Sequence, residues 1–277
     1  MEAIMKLNSL CMVGIIVTMC IMFSGGILMA QIGADIGLPA NGSTFTFNVK
    51  ATGDNGGRTP ILEPMNVNNY EEVHVFKGVI ENFYAKGKNG EDIKNVGPYD
   101  VAHFEITRPE VYDVVANWYY AIVGSSLAFY YQELTSGDRE AFLTPEQFPI
   151  VHFPLEEGYS FSSDKMYPFY LNLPKTGISI APHYESRNYT ADEGKIEMSV
   201  GKMKKVTVGA GQFDCYPVVV KLTTDTGSAI TAAKTEIVHD RCWSPELNYY
   251  VTEKTTVFLN ALVDSKATIE KELISYK

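Results

Sequence analysis

Basic residues are in short supply: 23 Lys and Arg stand against 33 Asp and Glu, for a formal net charge of -10. Neutralising a phosphate backbone takes a basic face, so this balance excludes nucleic acid as a partner. Cysteine is scarcer still, with four in 277 residues, which excludes a disulfide-dense scaffold. Nor is there a set of four metal ligands at zinc spacing. Cys215, His239 and Cys242 fall short of what a structural site takes, so no metal is expected. The other histidines (His74, His103, His152, His183) are scattered and read as surface or half-buried residues.

Glycine is absent after Gly227, and this bears on Asp225-Thr226-Gly227-Ser228, the tetrapeptide that carries the catalytic aspartate in pepsin-like proteases. Two such aspartates must face each other and share a proton. The chain holds no second copy, Thr223 and Thr224 stand where apolar residues are needed, and no later apolar-apolar-Gly segment exists. The tetrapeptide reads as a turn between two Thr/Val-rich strands, its glycine free to take positive φ. Gly209-Ala210-Gly211 opens like a dinucleotide fingerprint, but Asp214 occupies the third glycine position and a strand follows. Ser125 and Ser126 lack a G-x-S-x-G elbow. "GDNGGR", residues 53–58, offers too few oxygen ligands for a calcium loop. No catalytic, cofactor-binding or metal-ligating residue is assigned, and the chain reads as a non-enzyme. A hydrolase ranks last among the functional readings.

Long apolar runs are missing except at the start. "LCMVGIIVTMCIMFSGGILMA", residues 10–30, carries no charge and follows Lys6. It fits a signal peptide cut between Ala30 and Gln31, and it fits a retained membrane anchor of about 20 residues. Met19 stands where a lipidation site at Cys20 would need a small residue. Either reading puts the remainder outside the cytoplasm, membrane-anchored or secreted. Cys11 and Cys20 fall inside the apolar run, leaving Cys215 and Cys242. In an oxidising compartment this even pair reads as one disulfide, with two unpaired buried thiols as the alternative. Asn41-Gly42-Ser43 and Asn188-Tyr189-Thr190 have the form of glycosylation acceptors.

Sustained helical period is missing too. Residues 31–69 are rich in Gly, Asn, Thr and Pro and read as a flexible linker, with one short strand at 44–50. From residue 70 onward, Val-, Thr-, Tyr- and Phe-rich stretches such as "AHFEI", "LAFYYQEL" and "NYYVTEKTTVFLN" alternate with turns. Residues 109–120 fit a helical stripe as well as a strand. The organisation is thus a signal peptide or transmembrane anchor at 1–30, a flexible linker at 31–69 and a single β domain at 70–277. Trp118-Tyr119-Tyr120, Phe129-Tyr130-Tyr131 and Tyr249-Tyr250 put successive rings on opposite faces of their strands. One set enters a core, and the other covers the sheet or lines a groove for an apolar ligand.

"VTVGAGQFDCYPVVVKL" followed by "CWSPELNYYV" resembles a pattern in an uncharacterised family of secreted bacterial and archaeal β proteins, and "FPLEEGYSF" resembles that family's earlier strand. The resemblance covers residues 153–277 most fully. It implies kinship with the lipoprotein carriers LolA and LolB and hence a mainly β fold: a curved antiparallel half-barrel with one or two short helices, here preceded by an N-terminal hydrophobic helix. Within it, Ala210-Gly211 leads tightly into a strand, and Phe213 and Cys215 share one face while Asp214 and Tyr216 share the other. Trp243 and Pro245 end the next strand, and Phe213 and Trp243 are expected to be buried. The chain departs from the carriers in its long N-terminal extension and in lacking a helical lid sequence. The expected function is an extracytoplasmic binding module for an apolar small molecule, a lipid or another envelope protein. A structural cell-surface protein without a pocket is the alternative.

Overall fold

The computed structural model describes residues 36–53, 69–86, 92, 94, 97–109, 112–136, 138–143, 149–164, 170–172, 194–226, 233–260 and 265–277. Fifteen strands form one antiparallel sheet. They are β1 (Thr44–Gly53), β2 (Asn69–Phe83), β3 (Tyr99–Arg108), β4 (Tyr112–Val123), β5 (Ser126–Ser136), β6 (Asp138–Leu143), β7 (Pro149–His152) and β8 (Ser160–Ser163). After these come β9 (Tyr170–Asn172), β10 (Gly194–Val200), β11 (Lys204–Val208), β12 (Gly211–Thr226), β13 (Ala233–Ser244), β14 (Tyr249–Asn260) and β15 (Ser265–Tyr276). The spatial order runs β8-β10-β12-β13-β14-β15-β1-β2-β3-β4-β5-β6-β9, with β11 on β12 and β7 on β5. Because β7 also lies against β10, the sheet curls until it nearly closes into a barrel.

The expected mainly β, curved antiparallel sheet is present and nearly closes into a barrel, and none of its described residues is helical. Residues 112–120 belong to β4, held by ladders to β3 and β5 on both sides; the Val/Trp stripe that also fitted a helix is overridden by this pairing. The hydrophobic segment 1–30 lies outside the described residues. The linker placed at 31–69 is not one throughout. The chain is already packed at Ile36 and Leu38, and β1 sits mid-sheet between β15 and β2, with Phe45, Phe47, Val49 and Ala51 all buried. The short strand expected at 44–50 is thus a full sheet member with strict period-two burial.

The outer wall faces water. Lys77–Glu105 at 3.0 Å, Lys221–Glu236 at 2.8 Å and Lys254–Glu270 at 2.8 Å are outward ion pairs, which a lipid-facing wall would not carry. One outer patch is covered by the chain itself: Phe83, Ala85 and Tyr99 pack over Tyr119, Tyr130 and Tyr131 on β4 and β5. Inside, the dominant core joins Phe45, Phe47, Phe76, Phe104, Tyr120, Trp243, Tyr249 and Leu273. A smaller cluster of Ala51, Val257 and Ala267 closes the far end.

Bulges explain where the aromatic runs depart from simple alternation. The register shift beside Tyr119 and Tyr120 leaves Tyr130 as an extra residue on β5, so Tyr130 and Tyr131 both join the outer patch. The shift beside Trp243 acts likewise on β14, and Tyr249 and Tyr250 stack at 4.6 Å inside the barrel.

Candidate functional site

At one end of the barrel, called here the mouth, lie the starts of β1, β3, β5 and β14 and the ends of β2, β4, β13 and β15. An open groove of about 880 Å³ occupies it. Leu38, Phe45, Phe76, Val79, Leu247 and Tyr276 provide its apolar surface, and Asn41, Glu246, Asn248 and Lys277 its polar edge. The chain reaches this end first: Ile36 is buried, Gly37 abuts the Phe153 ring, and the Asn248 side-chain amide donates to the Leu38 carbonyl at 3.3 Å. Below the groove the interior is filled. Phe45 stacks on Tyr249 at 4.5 Å, Phe47 on Tyr250 at 5.0 Å and Phe104 on Tyr249 at 5.0 Å.

Beneath these rings runs a belt of charged side chains that sequence reading missed. Glu72 is fully buried on β2 and accepts from three donors: His74 Nε2 at 2.6 Å, Lys271 Nζ at 2.5 Å and Arg108 Nε at 2.8 Å. On β14 the buried Glu253 accepts from Arg241 Nε at 2.7 Å and lies 3.4 Å from Lys271 and 3.3 Å from His239 Nδ1. A carboxylate can only accept, so His74 carries its proton on Nε2, and Nδ1 accepts from the Tyr249 hydroxyl at 2.7 Å. Rings close over the cations: Lys271 sits 5.8 Å from the Trp118 centroid and Arg241 5.4 Å from that of Tyr250. His74, expected at or near the surface, is thus fully buried within this network.

Burial by itself would raise the Glu72 carboxyl, but Lys271, His74 and Arg108 outweigh it and hold the group well below the usual carboxylate range. Glu253 behaves likewise: burial opposes, Arg241, Lys271 and His239 prevail, and its pKa is well lowered. Burial lowers His74 and His239 despite their carboxylate partners. For Lys271 burial is outweighed by Glu72 and Glu253, and its pKa rises. All four lowered groups bind protons more readily in the unfolded chain, so the stability they lend is present at neutral pH and lost as pH falls. Loss should begin as pH drops below the free histidine value of 6.5 and deepen below the free carboxylate value of 4.5. On the alkaline side, Lys271 stops contributing as pH rises through its raised value. Melting temperatures read from pH 8 to pH 3.5 should show this two-stage decline, at about 2–4 °C per kcal/mol lost. A flat profile down to pH 4 would remove the belt as a stabilising element.

The residues singled out in sequence divide clearly. Cys215 and Cys242 are joined by a disulfide with Cα atoms 5.4 Å apart. Phe213 and Trp243 are buried, Asp214 is exposed and Tyr216 is half-buried. Gly211 takes φ +136° in the tight connection from β11 to β12, where the Ala210 amide donates to the Leu273 carbonyl at 3.0 Å. Pro245 begins the exposed turn after β13. Asp225 and Thr226 end β12, paired with Lys234 and Ala233 of β13, as a hairpin requires; residues 227–232 lie outside the described residues. His239 faces the belt whereas Cys242 is engaged in the disulfide, so they do not converge on a metal, and among the described residues no metal-ligand cluster forms. Asn41 is exposed at the groove, and Asn188 and His183 lie outside the described residues.

Ser126 Oγ and His152 Nδ1 meet at 2.9 Å as cross-strand neighbours of β5 and β7, and His152 stacks on Tyr159 at 4.1 Å. Among the described residues no carboxylate orients that imidazole, so the pair lacks the third member that activates a serine.

No protein-family model matches the chain, and neither does any curated protein sequence. Among solved structures the chain is similar to a Parabacteroides distasonis protein assigned as a lipoprotein, with 11% identity, a TM-score of 0.31 and coverage of 87% of this chain and 98% of the other. It is also similar to a Bacteroides fragilis protein assigned as exported, with a YmcC-like fold, at 11% identity, a TM-score of 0.27 and coverage of 86% and 97%.

Proposed function

We propose that the chain is an extracytoplasmic, non-enzymatic β-barrel that serves as a binding module, presenting its mouth to an apolar ligand or another envelope component. The observation that carries this reading is the open, largely apolar groove of about 880 Å³ set above a filled interior. Such a lining, with a few polar groups at its edge, is the usual composition of a ligand site. The apolar N-terminal segment and the cysteine usage support an extracytoplasmic location, either tethered or released. The curved antiparallel sheet supports kinship with the secreted β family and with LolA and LolB. The His74–Glu72 pair is sealed behind aromatic rings, where it holds the fold rather than meets a substrate.

Native mass spectrometry of the protein purified from its own membrane fraction tests the reading. An added mass should accompany the folded chain, leave on denaturation, and be lost in Leu247→Arg, which places a charge in the groove. A bare chain mass that acquires nothing on incubation with a lipid extract would sink the reading. The packed interior favours one other account, a structural cell-surface barrel without a ligand, and that result would select it.

A further inference from the structure

The described large apolar side chains left in water are distributed unevenly. Val79 and Ile80 (38% exposed), Val123 (41%) and Tyr276 (45%) belong to the mouth end, while Met203 (48%) lies on the turn into the β11–β12 hairpin. Val79 and Ile80 ride on the part of β2 that runs past the start of β1, and Val123 ends β4. Tyr276 ends β15 at the same end. At the far end the described counterpart is Phe258, and it is partly capped by Lys266 at 5.1 Å. The elevated outer wall between the two ends carries ion pairs. An apolar rim on a charged barrel is an interaction surface in need of an occupant.

The route of the chain identifies that occupant. Residues 10–30 are uncharged and long enough to span a bilayer, and the described residues begin at Ile36, buried at the same rim. The five residues between, 31–35, cover six Cα steps and reach at most about 20 Å. A tether that short, attached at the mouth, brings the mouth rather than the far end to the bilayer. The rim ends in Tyr276 and Lys277, residue types that settle at the level of lipid headgroups.

We propose that the barrel docks mouth-down on the membrane that anchors it, with Val79, Ile80, Val123 and Tyr276 as its lipid-contacting rim. This rests on the extracytoplasmic, membrane-tethered form of the proposed function. It assigns the mouth a bilayer surface as partner, and the groove then opens toward that surface.

The full chain is reconstituted in dioleoylphosphatidylcholine vesicles, with and without phosphatidylcholine brominated along its acyl chains. Tyr276→Trp and, separately, Val79→Trp are mouth reporters, and Phe258→Trp is the far-end control. Emission of the parent chain, from Trp118 and Trp243, is subtracted. The mouth reporters should lose at least half of their added emission to brominated lipid and shift to the blue, while the Phe258→Trp reporter is unchanged. Two mouth sites guard against one variant failing to fold. Equal quenching at both ends, quenching at neither, or quenching only at the far end overturns the proposal, including a rim that serves a partner protein instead. A chain that washes off the vesicles in alkaline carbonate overturns the tethered reading as well, so the two failures are distinguishable. The binding reading is judged separately by the mass measurement.

Discussion

Glu72→Gln should lower the free energy of unfolding by about 3–5 kcal/mol, the loss expected when a buried ion pair keeps only one partner. Against a total stability of about 5–15 kcal/mol, this leaves a marginal fold. With both histidines neutral, the belt holds Lys271, Arg241 and Arg108 against Glu72 and Glu253, an excess of one positive charge. Removing Glu72 doubles that excess among side chains that are mostly buried. Arg108 is partly exposed and can turn to solvent, but Lys271 is held beneath Trp118 and has only Glu253 left, at 3.4 Å. Lys271→Met should cost less, because Glu72 keeps His74 and Arg108 while Glu253 keeps Arg241. The double variant Glu72→Gln/Lys271→Met restores the original charge excess and should be more stable than Glu72→Gln alone. That sign reversal is what separates an electrostatic belt from simple packing loss. Urea midpoints at constant m-value report all three. If Glu72→Gln falls within about 0.5 kcal/mol of the parent, the range of ordinary surface changes, the belt is not structural.

The belt went unseen in sequence for a specific reason. In "YEEVHVF" the valines invite the core assignment, yet Tyr70, Glu72, His74 and Phe76 face inward while Val73 and Val75 are only half-buried. The valines are β-branched residues suited to either side of a strand, whereas two titratable residues, Glu72 and His74, at consecutive inward positions contradict the usual expectation for a core. A usable signal was nonetheless present. Every belt residue has apolar neighbours two positions away on its strand: Ile269 and Leu273 flank Lys271, Val251 precedes Glu253, and Trp243 follows Arg241. Parity was informative where hydrophobicity was not.

Other features were legible because their chemistry is local. Strand-rich composition carried the antiparallel β architecture, and the motif around Phe213 and Trp243 marked buried positions. The pairing of Asp225 and Thr226 with Lys234 and Ala233 fits the hairpin read from Asp225-Thr226-Gly227-Ser228, whose last two residues lie outside the described residues. Near-closure was not legible, because it depends on β7 meeting β10, which are about 40 residues apart in the chain and share no local pattern. The mouth groove was hidden for the same reason: it joins residues near 40, 78, 247 and 276, which no local pattern relates.

Cys215→Ser should lower stability by about 4–5 kcal/mol under oxidising conditions: about 3–4 from the chain-entropy value for the 27-residue separation and about 1 from a buried hydroxyl. The bond sits where it has mechanical consequence. Up to Cys215, β12 pairs with β11; from Tyr216 onward it pairs with β13, and Pro217, which has no N–H to give, lies next to the changeover. Cys242 is the register partner of Pro217, so the bond ties the root of the β11–β12 hairpin to the end of β13. The far tip of that hairpin is held by the Gly209 amide on Glu272 at 2.9 Å and the Ala210 amide on the Leu273 carbonyl at 3.0 Å. Losing the disulfide frees the root while the tip stays attached by those contacts, and both sulfur positions are buried, so a serine hydroxyl at 215 adds a polar group where water is absent. Cys215→Ala avoids that second penalty and should recover about 1 kcal/mol of the difference. Adding reductant should bring the parent chain down to the level of Cys215→Ala and leave the variant unmoved. A variant that melts with the oxidised parent would show that the barrel's ladders alone hold this corner, and a parent insensitive to reductant, with the variant still low, would assign the loss to packing at residue 215 instead of to the bond.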